Sequence, residues 1–242
     1  FQAVFDIERL TSPSRRTFAR RALSSRGVAA TEGFETPGLA VKRNLGIALR
    51  SDHLMTSGSV TLGYELAIQN GNSASDAAND NDALAYSAAL FATVSESIWV
   101  FGAGRYNRRN EGELPFRRTE DDFEAAAGLR IERAPIRATA QVLGRRTRFP
   151  TTGGPVRNAF GAHAEALVTV PGLSWLEAGY RYSILEPSDL MPANRVQEHT
   201  VGANISWPAV RGMLQINATH AIEQQGRALD NSRIEAVVQV SL

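Results

Sequence analysis

Long stretches of strict alternation between apolar and polar residues constrain this chain more than any other feature. Period-2 alternation puts every second side chain on one face of an extended strand. Here it persists over segments of roughly 9–14 residues, against about 5–6 for an ordinary strand. A strand crossing a bilayer at a tilt needs about 9–11. The pattern predicts strands near 44–52, 57–70, 83–94, 97–108, 123–133, 136–148, 157–170, 173–185, 196–207, 211–223 and 232–242. One face is often almost purely apolar. In 136–148 it carries Ile136, Ala138, Ala140 and Val142, against Arg137, Thr139, Gln141 and Arg145. In 232–242 it carries Ile234, Ala236, Val238, Val240 and Leu242, against Arg233, Glu235, Gln239 and Ser241.

Alternation alone does not say which face is covered. A soluble sandwich packs its apolar faces together. A membrane barrel turns them to lipid and keeps the polar face for a wet lumen. Three further features point to the barrel. Connections alternate between short (53–56, 95–96, 134–135, 171–172, 208–210) and long (71–82, 109–122, 149–156, 186–195, 224–231), as periplasmic turns and external loops do. Aromatics lie toward strand ends. Trp99, Trp175 and Trp207 are near short turns, and Tyr86, Tyr106, Phe123, Phe160, Tyr180 and Tyr182 are toward long loops, the placement of interfacial girdles. By parity only Trp207 of the three Trp faces lipid. The last strand ends on Leu242, where outer-membrane barrels usually end in Phe.

The expectation is therefore an all-β, antiparallel transmembrane β-barrel in a bacterial outer membrane. An open sheet edge in lipid would leave backbone amides unsatisfied, so the strands must close. Residues 1–10 offer one more candidate strand, giving about twelve in view. Phe1-Gln2-Ala3-Val4-Phe5 reads as mid-strand, so upstream strands and any signal peptide are expected outside this sequence. A soluble sandwich or ligand-binding barrel is the competing architecture.

Composition removes several classes. The 242 residues include no Cys, which excludes disulfide scaffolds, Cys-ligated zinc and thiol catalysis. A net charge of +1 gives no basic footprint for nucleic acid. No apolar run is long enough for a transmembrane helix. No motif calls for a cofactor, and Gly102-x-Gly104 and Gly153-Gly154 lack the strand–helix context of a phosphate cradle. They read as a lumen-side gap and a loop tip. The four His are His53 in a turn, His163 on the lumen side near Glu165, and His199 and His220 facing lipid. None forms an acid/base pair or a metal set, so no enzyme is expected.

Residues 11–43 break the alternation. Thr11-Ser12-Pro13-Ser14 reads as a turn and helix N-cap, followed by a short basic helix from Arg15 to Leu23. A loop from Gly27 to Gly38 leads to Lys42-Arg43. So long a connection is usually functional. It carries Arg15, Arg16, Arg20, Arg21, Arg26, Lys42 and Arg43 against Glu32 and Glu35, and reads as an inserted basic constriction loop.

Phe5-Asp6-Ile7-Glu8-Arg9-Leu10-Thr11-Ser12, then Phe18-Ala19-Arg20-Arg21-Ala22-Leu23, resembles the phosphate-selective porin O and P family. Arg43-Asn44-Leu45-Gly46-Ile47 is similar to its Arg-Asp-Ile-Gly strand start. Gly63-Tyr64-Glu65-Leu66-Ala67-Ile68-Gln69-Asn70-Gly71 is similar to its Tyr-x-x-x-x-x-Asn-Gly strand end. The matched order covers roughly residues 4–94, and Arg20 stands where the family often has Glu. The resemblance implies a homotrimer of 16-stranded barrels, each with a basic constriction for anions.

The residues expected to line the pore are Arg15, Arg16, Arg20, Arg21, Lys42 and Arg43 in the insert. On the wall they are Arg50, Arg130, Arg137, Arg145 and Arg181, with Arg105 and Arg233 beside them. Rings of Arg lower the barrier for anions and grip phosphate through forked hydrogen bonds. The competing reading pairs these arginines with Glu65, Glu124, Glu132, Glu165, Glu177, Glu198, Glu223 and Glu235 on neighbouring strands. The expected function is passive diffusion of small hydrophilic solutes, preferably anions. The expected partners are outer-membrane lipids and lipopolysaccharide. The alternative is a non-conducting barrel that anchors or docks an envelope protein assembly.

Overall fold

The computed structural model describes residues 5, 7, 18–29, 36–40, 45–71, 83–111, 117–207, 212–224 and 232–240. Among the described residues it is all-β apart from a short helix, α1 (Leu23–Arg26), and a helical residue at Ile7. The strands are β1 (Gly27–Val28), β2 (Thr36–Pro37), β3 (Gly46–Ser57), β4 (Val60–Asn70), β5 (Leu84–Val94), β6 (Ile98–Glu111), β7 (Arg118–Arg133), β8 (Ile136–Arg148), β9 (Arg157–Thr169), β10 (Leu176–Glu186), β11 (Val196–Trp207), β12 (Gly212–Glu223) and β13 (Arg233–Val240). β3 to β13 make one 11-stranded antiparallel sheet in sequence order, and β1–β2 is a separate two-stranded ribbon. β3 and β13 stand at the ends of the order and pair with no further strand among the described residues.

The short-long alternation of connections holds throughout the sheet. Gly58 (φ +58°) turns β3 into β4, and Ser95 and Glu96 (φ 52° and 58°) turn β5 into β6. Two consecutive left-handed residues match the right-handed twist of a tight hairpin.

Several boundaries differ from the sequence reading. β10 begins at Leu176 rather than at 173, so the short turn at 171–172 widens to 170–175. The segment 53–56 is not a turn: it lies inside β3, where the register to β4 shifts between Ser51 and Met55. His53 is therefore a strand residue. An edge strand tolerates such a bulge because it has a partner on one side only. The connection 109–122 shrinks to 112–117, because β6 and β7 zip further, with Arg109 opposite Glu120 and Glu111 opposite Arg118. Opposite charges across a ladder extend it. The helix starts at Leu23 rather than at Arg15: Ala22 is extended (ψ 149°) and its carbonyl accepts from Ser25 and Arg26. Residues 15–17 lie outside the described residues. So does most of 1–10, but Phe5 occupies a turn and Ile7 is helical, not strand.

Side-chain parity sorts the sheet into two unlike faces. One face carries buried Glu65, Arg105, Glu124, Gln141, His163, Arg181, Glu198 and Gln215. The other carries exposed Leu66, Leu90, Phe123, Val142, Phe160, Val201, Ile216 and Val238. The first is the inner face, because the N-terminal segment lies on it. Phe5, Ile7, Leu23, Val28 and Leu39 cluster there with Phe91, Phe101, Ala126, Leu143 and Leu185, drawing on β5 through β10. Gly102 and Gly104 sit on the opposite, outer face, in register with Leu90 and Ala88. They are not a gap on the lumen side. Trp99 faces inward, stacked on Phe101 at 5.0 Å, and Trp207 is exposed, both as parity required.

Candidate functional site

The inner face is a wall of charged and amide side chains, supplied because every second residue of each strand points there. Near the long-loop end the buried Glu120 carboxylate receives Arg109 at 2.7 Å, Arg118 at 2.8 Å and Arg157 at 3.4 Å. Arg109 also donates to Asp122 at 2.7 Å, and Thr147 donates its hydroxyl to the same carboxylate at 2.6 Å. Deeper in the sheet Glu124 accepts from Arg105 (2.7 Å) and Arg145 (2.8 Å) on the two flanking strands. Toward the short turns Arg137 meets Glu177 at 2.6 Å. An amide row follows: Gln215 donates to Asn204 at 3.3 Å, and Asn204 donates to Glu177 at 3.3 Å.

Besides its apolar cluster, the N-terminal segment docks on this wall through polar groups. The Gln141 amide accepts from the Ile7 N–H at 3.1 Å and donates to the Phe5 carbonyl at 3.0 Å. The Leu23 N–H donates to the Ser183 hydroxyl at 2.9 Å. Arg181 donates to the Arg20 carbonyl at 2.8 Å and lies 4.8 Å over the Phe18 ring. Arg26 donates to Glu198 at 2.6 Å, and Arg233 reaches the same oxygen at 3.0 Å. At Gly27 (φ +81°), where β1 folds back on β2, an added Cβ would lie 2.0 Å from the Thr36 carbonyl oxygen, so only glycine fits.

The expected pore-lining residues divide into three groups. Arg15, Arg16, Lys42 and Arg43 lie outside the described residues. Arg20 pairs with Glu235 of β13, and Arg21 is half-buried beside it. The wall arginines all reach the inner face, as parity required, and each meets an acid there. Arg50 lies 3.7 Å from Glu65 and 2.8 Å from Asp52, and its guanidinium is 5.2 Å over Phe91. Arg130 stacks on Trp99 at 5.4 Å and reaches Glu132 at 3.6 Å. Arg181 is 2% exposed, beside Glu165 at 3.8 Å, so it is a post for the segment rather than a free rung of a ladder. Pairing with an acid of a neighbouring strand holds for Arg50, Arg105, Arg145 and Arg181, whereas Arg130 meets Glu132 of its own strand and Arg137 meets Glu177 two strands away.

Sequence reasoning did not single out Gln141, Ser183 and Ser24. Parity places the first two inward, but nothing local marks them as docking points for residues more than a hundred positions away. Ser24 Oγ lies 3.0 Å from His163 Nδ1. A hydroxyl beside an imidazole is an ingredient of nucleophilic catalysis. Here both side chains are at most 3% exposed and pressed between segment and wall, so the pair holds the segment.

Outside the sheet, Asp189 clasps β9. Its carboxylate accepts from the Asn158 N–H and side-chain amide, both at 2.7 Å. These two bonds hold its pKa below the usual carboxylate value. Comparison with family models and with curated protein sequences finds no match to this chain.

Proposed function

We propose that the sheet is the wall of a water-filled β-barrel in a bacterial outer membrane, through which small hydrophilic solutes diffuse passively. The observation that carries this reading is the inversion of the two faces: charged groups covered, large aliphatics bare. Leu90 is 68% exposed and Val238 66%, while Gln215 is fully buried. In water such a sheet would hide its aliphatic face; in hydrocarbon it would show it. The alternation of tight turns and long loops supports the same reading. Barrel closure then brings the amides of β3 and β13 into pairing, directly or through further strands.

Anion preference, with phosphate as the candidate solute, is proposed to come from the insert rather than from the wall. Wall arginines are matched by acids; residues 15–43 carry seven basic residues against Glu32 and Glu35, and of these Arg20 and Arg26 pair with Glu235 and Glu198 of the wall. Their field would attract anions to a narrow, low-dielectric passage. Assembly as a homotrimer among lipopolysaccharide and outer-membrane lipids belongs to the same proposal. A second reading is favoured by one specific observation: the segment fills part of the inner face with an apolar cluster. In that reading the barrel is a non-conducting anchor for an envelope protein partner.

Single-channel current in a planar bilayer, under a salt gradient, separates the two. Stepwise conductance with an anion-selective reversal potential is expected. Replacing Arg15, Arg16, Arg20 and Arg21 by Ala should shift that potential toward zero. Conductance without anion preference would keep the channel and remove the role of the insert. Silence from a folded, membrane-inserted barrel would favour the anchor.

A further inference from the structure

The arginines at the long-loop end are not all on the inner face. Arg108, Arg146 and Arg148 point outward on β6 and β8, around the aromatic pair Tyr106–Phe123, whose ring centres are 5.1 Å apart. Arg148 lies opposite Asp121 and its guanidinium is 5.2 Å over Phe123; Arg146 lies opposite Phe123 itself. Arg108 is matched by Asp121, which it grips through both carboxylate oxygens at 2.7 and 3.1 Å. Among the described residues neither Arg146 nor Arg148 forms a direct ion pair, and Asp121, opposite Arg148, is already bonded by Arg108. The other acids near this corner are engaged elsewhere: Asp189 is bonded by Asn158, which stands opposite Arg146, and Glu186, opposite Phe160, accepts from Arg195 at 2.8 Å. Two exposed guanidiniums thus share one face, two residues apart on one strand, about 7 Å along it. Long arms at that spacing can converge on one tetrahedral oxyanion.

What lies below them is apolar and smooth. The next outward row is Gly104, Ala125, Gly144 and Phe160. A Cβ added at Gly104 or Gly144 would meet nothing closer than 3.9 Å. An open outward groove continues from this row over β3–β6, lined by Leu66, Ile68, Tyr86, Gly104 and Tyr106. Arginines above the Tyr106–Phe123 pair above a bare apolar furrow of Gly104, Ala125 and Gly144 form the order of a headgroup, an interface and acyl chains.

We infer that the outward face of β6–β8 at its long-loop end is a binding site for the phosphate-bearing headgroup of a membrane lipid, with Arg146 and Arg148 as the phosphate ligands. This rests on the membrane reading of the sheet. A free phosphate would supply the charge but no chains for the furrow, so the lipid is the occupant that uses both halves of the site.

The test uses the intact protein reconstituted in phosphatidylcholine vesicles, with diphosphorylated lipid A as the probe. Flotation reports membrane insertion, and retention of lipid A after detergent extraction reports the site. The double variant Arg146→Gln/Arg148→Gln should insert normally and retain lipid A about thirtyfold more weakly, from about fivefold per interfacial Arg. Arg195→Gln, at another loop, should bind as the parent does. Equal retention by parent and double variant, with normal insertion, overturns the site and leaves the membrane reading standing. Displacement of lipid A by inorganic phosphate at comparable concentration also overturns it, in favour of a free-anion site. Failure of the parent to float overturns both.

Discussion

On β8, Gln141 is 2% exposed and the next residue, Val142, is 47% exposed. The contrast repeats on β12, where Gln215 is buried and Ile216 is 41% exposed. In a water-soluble sheet these two columns of side chains would trade places. A buried amide costs free energy unless its hydrogen bonds are made, and Gln141 makes them with the backbone of Phe5 and Ile7. Around its apolar cluster the inner face is held largely by paired polar groups such as Gln141 and Glu124, each needing a particular partner. The outer face is held by its surroundings as a whole and needs no partner at any one position. Substitutions on the two faces should consequently fail for different reasons.

The inner face should be the more easily broken by removing one partner. Glu124 bridges Arg105 and Arg145, with its carboxylate 3% exposed. Glu124→Ala leaves two guanidiniums facing each other across β7 with no anion between them. Loss of one member of a buried ion network costs about 3–5 kcal/mol. Reversible urea unfolding from lipid vesicles should show that drop, and restoring a carboxylate by Glu124→Asp should recover part of it. A change under about 1 kcal/mol would mean that water or other partners replace the glutamate, and that the pairing is incidental.

The outer face is tested by adding a charge where nothing is paired. Val142→Arg puts a guanidinium on an exposed aliphatic site in the middle of β8. At a bilayer midplane this costs about 2–4 kcal/mol. On an ordinary water-facing surface the same change lies within about 0.5 kcal/mol. Unfolding free energies of parent and variant in vesicles decide between these, and the smaller value would remove the lipid from the account of this face.

The sequence made the strands legible because their period is fixed by backbone geometry, and one buried or bare face reinforces every second position. It also placed Arg137, Arg145 and Arg181 inward, since parity survives errors of a residue or two at strand ends. It failed where local pattern carries no such reinforcement. His53 and its neighbours to Thr56 look like turn residues, yet a bulge absorbs them into an edge strand. The basic stretch before Leu23 looks like a helix, yet Arg20 spends its carbonyl on Arg181 of the wall. Docking of that kind depends on residues far away in the chain, which no local window contains. The parity error at Gly102 and Gly104 has a simpler origin: glycine has no side chain to declare a face.

The smallest expected effect concerns a loop that belongs to neither face. Asp189 accepts two hydrogen bonds from Asn158 and returns its own N–H to the Asn158 carbonyl at 2.9 Å. Its folded pKa lies below the ordinary value because both accepted bonds favour the ionised form. The sign follows from linkage: the clasp contributes fully above the unfolded pKa of about 3.9 and is lost as pH falls through the depressed folded value. Hydrogen exchange at the Asn158 amide, corrected for intrinsic chemistry, should therefore be pH-independent from 8 to 5 and accelerate below about pH 4. Asp189→Asn should abolish that acceleration and leave the Glu124 and Val142 comparisons unchanged. An acid-sensitive amide in the Asn variant would place the titrating group elsewhere, on one of the wall carboxylates rather than in the loop.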